Sequence, residues 1–227
     1  MAFRYTRPPL TQGISTVLLI GLALGAMALP GAPSVWAAYL AHTPEWVQII
    51  GALMVVHLLL FWGMVAAFSV VDRHDWPHFI AKHRIQSGKP KRPALGPVLR
   101  NLAVNQLVWA PLMLVLIWGL LHVRGWAPDP ALPSALQVLA ELLGMSVCSM
   151  IWFYASHRFL HRKWWMKRVH RVHHEFRTTS AIASEYAHGV EFVVANFGTL
   201  GCGVVLLAPS LPSIHLFTVV SLHTILA

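Results

Sequence analysis

Charge is scarce in this sequence. Only 11% of its 227 residues are Asp, Glu, Lys or Arg, where a soluble domain carries roughly a quarter. With 56% of its residues hydrophobic, the chain cannot clothe itself in water-facing side chains, which excludes an ordinary soluble domain. Acidic residues are the scarcest, 8 against 17 Lys and Arg, leaving a net charge of +9. Cysteine is nearly absent. Cys148 and Cys202 both fall inside apolar stretches, so there is no disulfide framework to read, and both are expected to act as small core hydrophobes. Internal repeats and low-complexity linkers are missing too.

What the chain has instead is long apolar runs, at 14–29, 46–71, 99–123 and 135–156, with a fifth apolar region from 190 to the end, broken at Pro209 and Pro212. A bilayer-crossing helix needs roughly 20 such residues. The expected fold is therefore all-α: a polytopic membrane bundle of about four transmembrane helices plus a C-terminal apolar hairpin. The Pro-rich connections at 30–45 and 125–133 are expected to be short. Trp76, Trp109, Trp118, Trp126, Trp164 and Trp165 lie mostly near run ends, where interfacial anchoring accounts for them.

The basic residues alternate with the runs. Arg4 and Arg7 precede the first; seven, from Arg73 to Arg100, lie between or beside the second and third; seven, from Arg158 to Arg177, follow the fourth; Arg124 alone falls elsewhere. This is the positive-inside pattern, and it assigns the N-terminus, the 73–95 loop and everything just after Ser156 to the cytosol. The excess charge then reports topology and anionic headgroups, not nucleic acid. The first run and the small residues after Pro30 also allow a cleaved signal peptide, which leaves the later sidedness unchanged.

Histidine is concentrated. There are 14 in the chain, so an even spread puts about one in any 18 residues, yet the stretch from His157 to His174 holds five: His157, His161, His170, His173 and His174. The first two are four apart, and the last three stand at i, i+3 and i+4, so each set converges on one helix face. Neutral imidazole is the commonest metal-binding side chain, and ligation offsets the cost of crowding several. A basic segment that merely binds headgroups is the plainer alternative, but headgroup binding requires no helical register. A zinc protease needs Glu directly after the first His, which is absent. A ferritin-like carboxylate site needs Glu-x-x-His twice, and only Glu185 to His188 fits. The ligand types alone suit iron, zinc or copper. His57, His215 and His223 lie in apolar stretches and read as bundle-interior polar groups, functional candidates only because they are intramembrane. His74, His78 and His83 read as solvated.

The order His-x-x-x-His, eight residues, His-x-x-His-His after a membrane helix resembles the fatty acid hydroxylase/sterol desaturase superfamily. Within it, SHRFLHRKWWMKRVHRVHHEF followed by SEYAHGVEF is most similar to the C-4 methylsterol oxidase branch, as is KHRIQ at 82–86. The resemblance covers the chain from about residue 79 and implies a two-part organisation, an N-terminal membrane hairpin with its cytosolic loop (1–98) and a hydroxylase-like domain (99–227). It implies that the five box histidines, with His188 in the EYAH motif, ligate two non-haem irons on the cytosolic side. Glu185 and Glu191 would orient ring nitrogens, or else pair with Arg171 and Arg177. It further implies oxidation of an unactivated C–H bond of a sterol or fatty lipid, with dioxygen and electrons from NAD(P)H through cytochrome b5 or a similar acidic carrier. The location implied is the endoplasmic reticulum membrane if the source is eukaryotic. Two departures stand out. Gly189 follows His188 where the family usually has Pro, and by the family pattern the chain stops at Ala227 before a third histidine box. The second departure leaves an alternative, a catalytically incomplete metal-binding membrane protein or truncated isoform.

Overall fold

The computed structural model describes residues 10–81, 93–178 and 180–226; KHRIQ and His83 lie outside these. Among the described residues there is no strand, and seven principal helices make the bundle: α1 (Leu10–Met27), α2 (Ala32–His42), α3 (Val47–His74), α4 (Leu95–Val123), α5 (Ala135–Leu160), α6 (Gly189–Leu207) and α7 (Leu211–Leu226). Four of them, α3 to α6, are long and apolar enough to cross a membrane. The number agrees with the sequence reading, but the membership differs. At 18 residues α1 spans only about 27 Å, short of a hydrocarbon core of about 30 Å. It continues into α2 through an 87° bend at Pro30, as a broken span or a re-entrant loop. The 30–45 connection is thus mostly helix. Pro33 sits in the first turn of α2, where its missing N–H costs nothing and its fixed φ favours the helix. The C-terminal region divides unequally, α6 being a full candidate span and α7 a shorter one.

Local chemistry sets the helix ends. Ser134 caps α5 by accepting from the Gln137 amide at 3.2 Å. Ala208, at φ +48°, closes α6 in the left-handed conformation just before Pro209. The apolar core joins Ile49 and Leu53 of α3, Leu114 of α4, Met145 of α5, Phe192 of α6 and Ile214 of α7, so one core runs through both parts of the two-part reading. α5 and α6 pack most closely. A Cβ added to Gly203 would stand 2.8 Å from the Met145 Cα, the small-residue contact typical of membrane helices. Outward, Leu22, Val123, Leu136, Leu143, Met150 and Ile151 are exposed, an apolar girdle suited to lipid. Cys148 and Cys202 are free thiols, half-buried.

The bundle has two distinct ends. At one, Trp118 donates to Glu45 (2.8 Å), Trp126 to the Pro209 carbonyl (2.8 Å), Trp36 to the Asp129 carbonyl (3.0 Å) and Arg124 to the Val205 carbonyl. These tryptophans tie segments together as well as sitting near run ends. The other end gathers the C-termini of α3 and α5, the N-termini of α4 and α6, and the segment 161–188. Except for Arg124, the described Lys and Arg residues belong to this second end.

Candidate metal centre

α5 ends at the first histidine box. His157 lies in its last turn, and the His161 amide closes that turn on the His157 carbonyl. The chain restarts at Lys163, widens into a π turn over Met166–His170, and passes through a single 3₁₀ turn at His173–Glu175. Such wide turns are frequent at functional sites. This one brings the second box back over the first. Nε2 of His157 and His161 are 3.1 Å apart, those of His161 and His170 3.2 Å, and those of His170 and His174 3.0 Å. His173 stacks on His170 with ring centroids 5.7 Å apart. His170 is at the middle, fully buried and in ring contact with the other four.

Two nitrogens each about 2.0–2.1 Å from a single ion stand about 2.8–3.4 Å apart, from right-angle to tetrahedral geometry. The Nε2 spacings fall inside that interval. The ring partners orient the lone pairs the same way. His170 Nδ1 donates to Glu191 Oε1 at 2.7 Å, and His173 Nδ1 donates to the Tyr186 carbonyl at 3.3 Å. Carboxylate and carbonyl oxygens accept only, so each ring's Nε2 is left with a lone pair, and that of His170 is directed at the cluster. His170 Nε2 then faces two other ring nitrogens with one lone pair, a convergence that a cation satisfies. Glu191 is buried, and its second oxygen has no hydrogen-bond partner among the described residues. His157, His161 and His170 alone place ligand atoms within 4.8 Å of one another. The donor set fits a nitrogen-ligated transition metal.

Electrostatics keep these rings ready for a metal. Burial, and then the neighbouring rings of His157, His174, His161 and His173, push the His170 pKa down to about 3. Burial, then His173 and His161, also lowers that of His174. The neutral, ligating form is therefore favoured across the neutral range.

His188 stands apart. It is exposed, its Nδ1 accepts from the Val190 amide at 3.2 Å to cap α6, and none of the described ring contacts joins it to the five. Gly189 beside it lies against Trp109, whose Nε1 would be 2.6 Å from an added Cβ. A side chain there would press on the indole unless Trp109 moved.

Glu185 and Glu191 do not pair with Arg171 and Arg177. Glu191 supports His170, whereas Glu185 turns toward the membrane interior. There its Oε1 accepts from His57 Nε2 at 2.6 Å and its Oε2 from Gln106 Nε2 at 2.7 Å. Gln106 Oε1 in turn accepts from Trp62 Nε1 at 3.0 Å. A π turn in α4 at Asn105–Trp109 aligns Asn101, Asn105 and Gln106 on the 185–187 segment. Asn105 donates to the Glu185 and Ala187 carbonyls (both 3.1 Å), and Asn101 both donates to and accepts from Ala187. These contacts fix Tyr186, whose carbonyl holds His173 and whose hydroxyl donates to Glu175 at 2.7 Å. Burial, and then the Glu175 hydrogen bond and charge, push the Tyr186 phenol up to about 12. Asn101, Asn105 and Gln106 did not figure in the sequence reading. The available signal was three polar side chains at i, i+4 and i+5 within an apolar span. His215 and His223 are interior hydrogen-bonding groups, on the Gln48 carbonyl and Ser15 Oγ, both at 2.8 Å.

Comparison with known proteins gives the family. Residues 142–227 match the family model for Fatty acid hydroxylase. The human fatty acid hydroxylase domain-containing protein 2 is 32% identical over 179 residues, 76% of this chain and 53% of that protein. Methylsterol monooxygenase 2-2 of Arabidopsis thaliana is 30% identical over 185 residues, 81% of this chain and 65% of its own. Very-long-chain aldehyde decarbonylase GL1-11 of Oryza sativa subsp. japonica is 35% identical over 140 residues, 61% and 50% respectively. The chain spans about half the length of the first of these relatives. No solved structure matches.

Proposed function

Because the chain belongs to the fatty acid hydroxylase family through its C-terminal part, we propose that it is a membrane oxygenase oxidising an unactivated C–H bond of a lipid, a sterol being the favoured substrate. The single observation that carries this reading is the convergence of His157, His161, His170 and His174 through Nε2 atoms 3.0–3.2 Å apart, with Glu191 behind His170. These four and His173 would hold non-haem iron, two ions in the family pattern. His188 would join them only by releasing the Val190 amide.

No side-chain base removes a proton from an unactivated carbon, so this chemistry needs a metal. What bound iron supplies is dioxygen reduction. Two electrons and two protons are consumed per C–H oxidised, one oxygen atom entering the lipid and the other leaving as water. The chain's own residues prepare the place. Glu191 and the Tyr186 carbonyl hold the protons on His170 and His173 Nδ1, and the apolar girdle would admit a substrate from the bilayer. The Lys/Arg-rich end, with Arg168 stacked 4.7 Å over exposed Trp164, faces the cytosol in this reading. There Lys163, Lys167 and Arg171 would receive an acidic carrier such as cytochrome b5, fed by NAD(P)H.

The test uses sealed membrane vesicles of known sidedness containing the chain and loaded with a 4-methylsterol. NADH and a soluble electron carrier supplied to the cytosolic face should yield an oxidised sterol, and supply to the opposite face should yield none. Product from the opposite face alone would overturn the orientation. Absence of oxidised sterol or fatty lipid from either face would overturn the enzyme reading.

A further inference from the structure

A cleft lined in part by His57 opens between α3, α4, α6 and α7, with about 580 Å³ of empty space counting the part open to its surroundings. Of its thirteen lining residues only His57 and Thr218 carry polar side chains; Leu53, Ile117, Leu200 and Gly201 are typical of the rest. The Thr218 hydroxyl donates to its own helix, at the Ile214 carbonyl, 3.0 Å away. The cleft is therefore almost entirely hydrocarbon, with one polar point. That point is His57, only 7% exposed.

The partners of His57 fix what it offers. Glu185 accepts from His57 Nε2 with one oxygen and from Gln106 with the other, so Nε2 of the neutral ring carries the proton and Nδ1 carries a lone pair. Nδ1 makes no hydrogen bond among the described residues. An acceptor without a donor in an apolar cleft is costly, and a ligand that brings a donor removes the cost. A carboxylate brings no donor and would add a second negative charge beside Glu185. An ester or ether brings no donor either. A hydroxyl does.

We propose that this cleft is a binding site for a lipid alcohol, its apolar body between α3, α4, α6 and α7 and its hydroxyl donating to His57 Nδ1. That the occupant is also the substrate rests on the oxygenase reading; the binding itself does not.

The experiment is photolabelling of the purified chain in nanodiscs by hexadecan-1-ol bearing a mid-chain diazirine. The competitors are hexadecan-1-ol, its methyl ether and hexadecanoate. Neither metal nor reductant is required, so failure of oxidation and failure of binding are separate results. The label is expected on 197–204 or 49–57. The alcohol should compete about five- to tenfold better than the ether, the net worth of one hydrogen bond, and hexadecanoate should compete poorly. His57→Gln keeps an amide near the Nε2 position for Glu185 but has nothing at Nδ1, so alcohol and ether should compete equally there. Ile117→Trp should reduce labelling by filling the cleft. Equal competition by alcohol and ether on the unmodified protein overturns the proposal, as does stronger competition by hexadecanoate or label confined to the outer girdle. Because that ratio is read on the unmodified protein, it decides the matter even if a variant does not fold.

Discussion

Replacing His170 with Ala is expected to leave a protein that folds into membranes but retains at most a tenth of the metal of the unmodified chain. His170 is the ring on which the cluster is built, touching His157, His161, His173 and His174 and directing its Nε2 toward two of theirs. Its removal takes away a ligand and also the ring that spaces the others. Losing even a supporting partner of a metal-bound imidazole typically costs 10- to 100-fold in affinity, so loss of the central ring should reach at least the low end of that range. Glu191→Gln should fall between this variant and the unmodified protein, since an amide oxygen still accepts from Nδ1 but brings no charge. Metal content measured after purification decides it, and metal unchanged in His170→Ala would remove the cluster from consideration.

The second large effect is expected on stability. Glu185→Leu strands two buried donors, His57 Nε2 and Gln106 Nε2, at about 1–3 kcal/mol each. The apparent Tm in detergent should drop by roughly 5–15 °C at the few degrees per kcal/mol expected for a chain of this size. Glu185→Gln, which still accepts from one of the two, should lose less. A Leu variant as stable as the parent would show that the 57–185–106 bridge does not hold the 185–187 segment.

Much of this was legible in the sequence, and the reason is periodicity. The runs 46–71, 99–123 and 135–156 became α3, α4 and α5 because a long unbroken apolar stretch has few ways to fold in lipid. Within the first box the i, i+4 spacing keeps the rings on one face, but the second box reaches the first only through the π turn at Met166–His170. What stayed hidden depends on register and distance. The first run and the 30–45 connection form a bent helix pair because Pro33 starts a helix, where a proline count reads as a loop. His57 meets Glu185 across 128 residues, a contact no local pattern encodes. Asn101, Asn105 and Gln106 share one face only because α4 widens into a π turn, which shifts the register that ordinary helical spacing assumes. His188 sits in the EYAH motif of the resemblance, yet its Nδ1 is engaged in capping α6.

X-ray absorption at the metal edge, on the chain purified from iron-replete cells, tests the metal centre most directly. The predicted result is iron with nitrogen neighbours at about 2.0–2.2 Å and the outer-shell scattering of several imidazole rings, lost in His170→Ala. A protein without metal above background, or a metal spectrum without imidazole scattering, would contradict it.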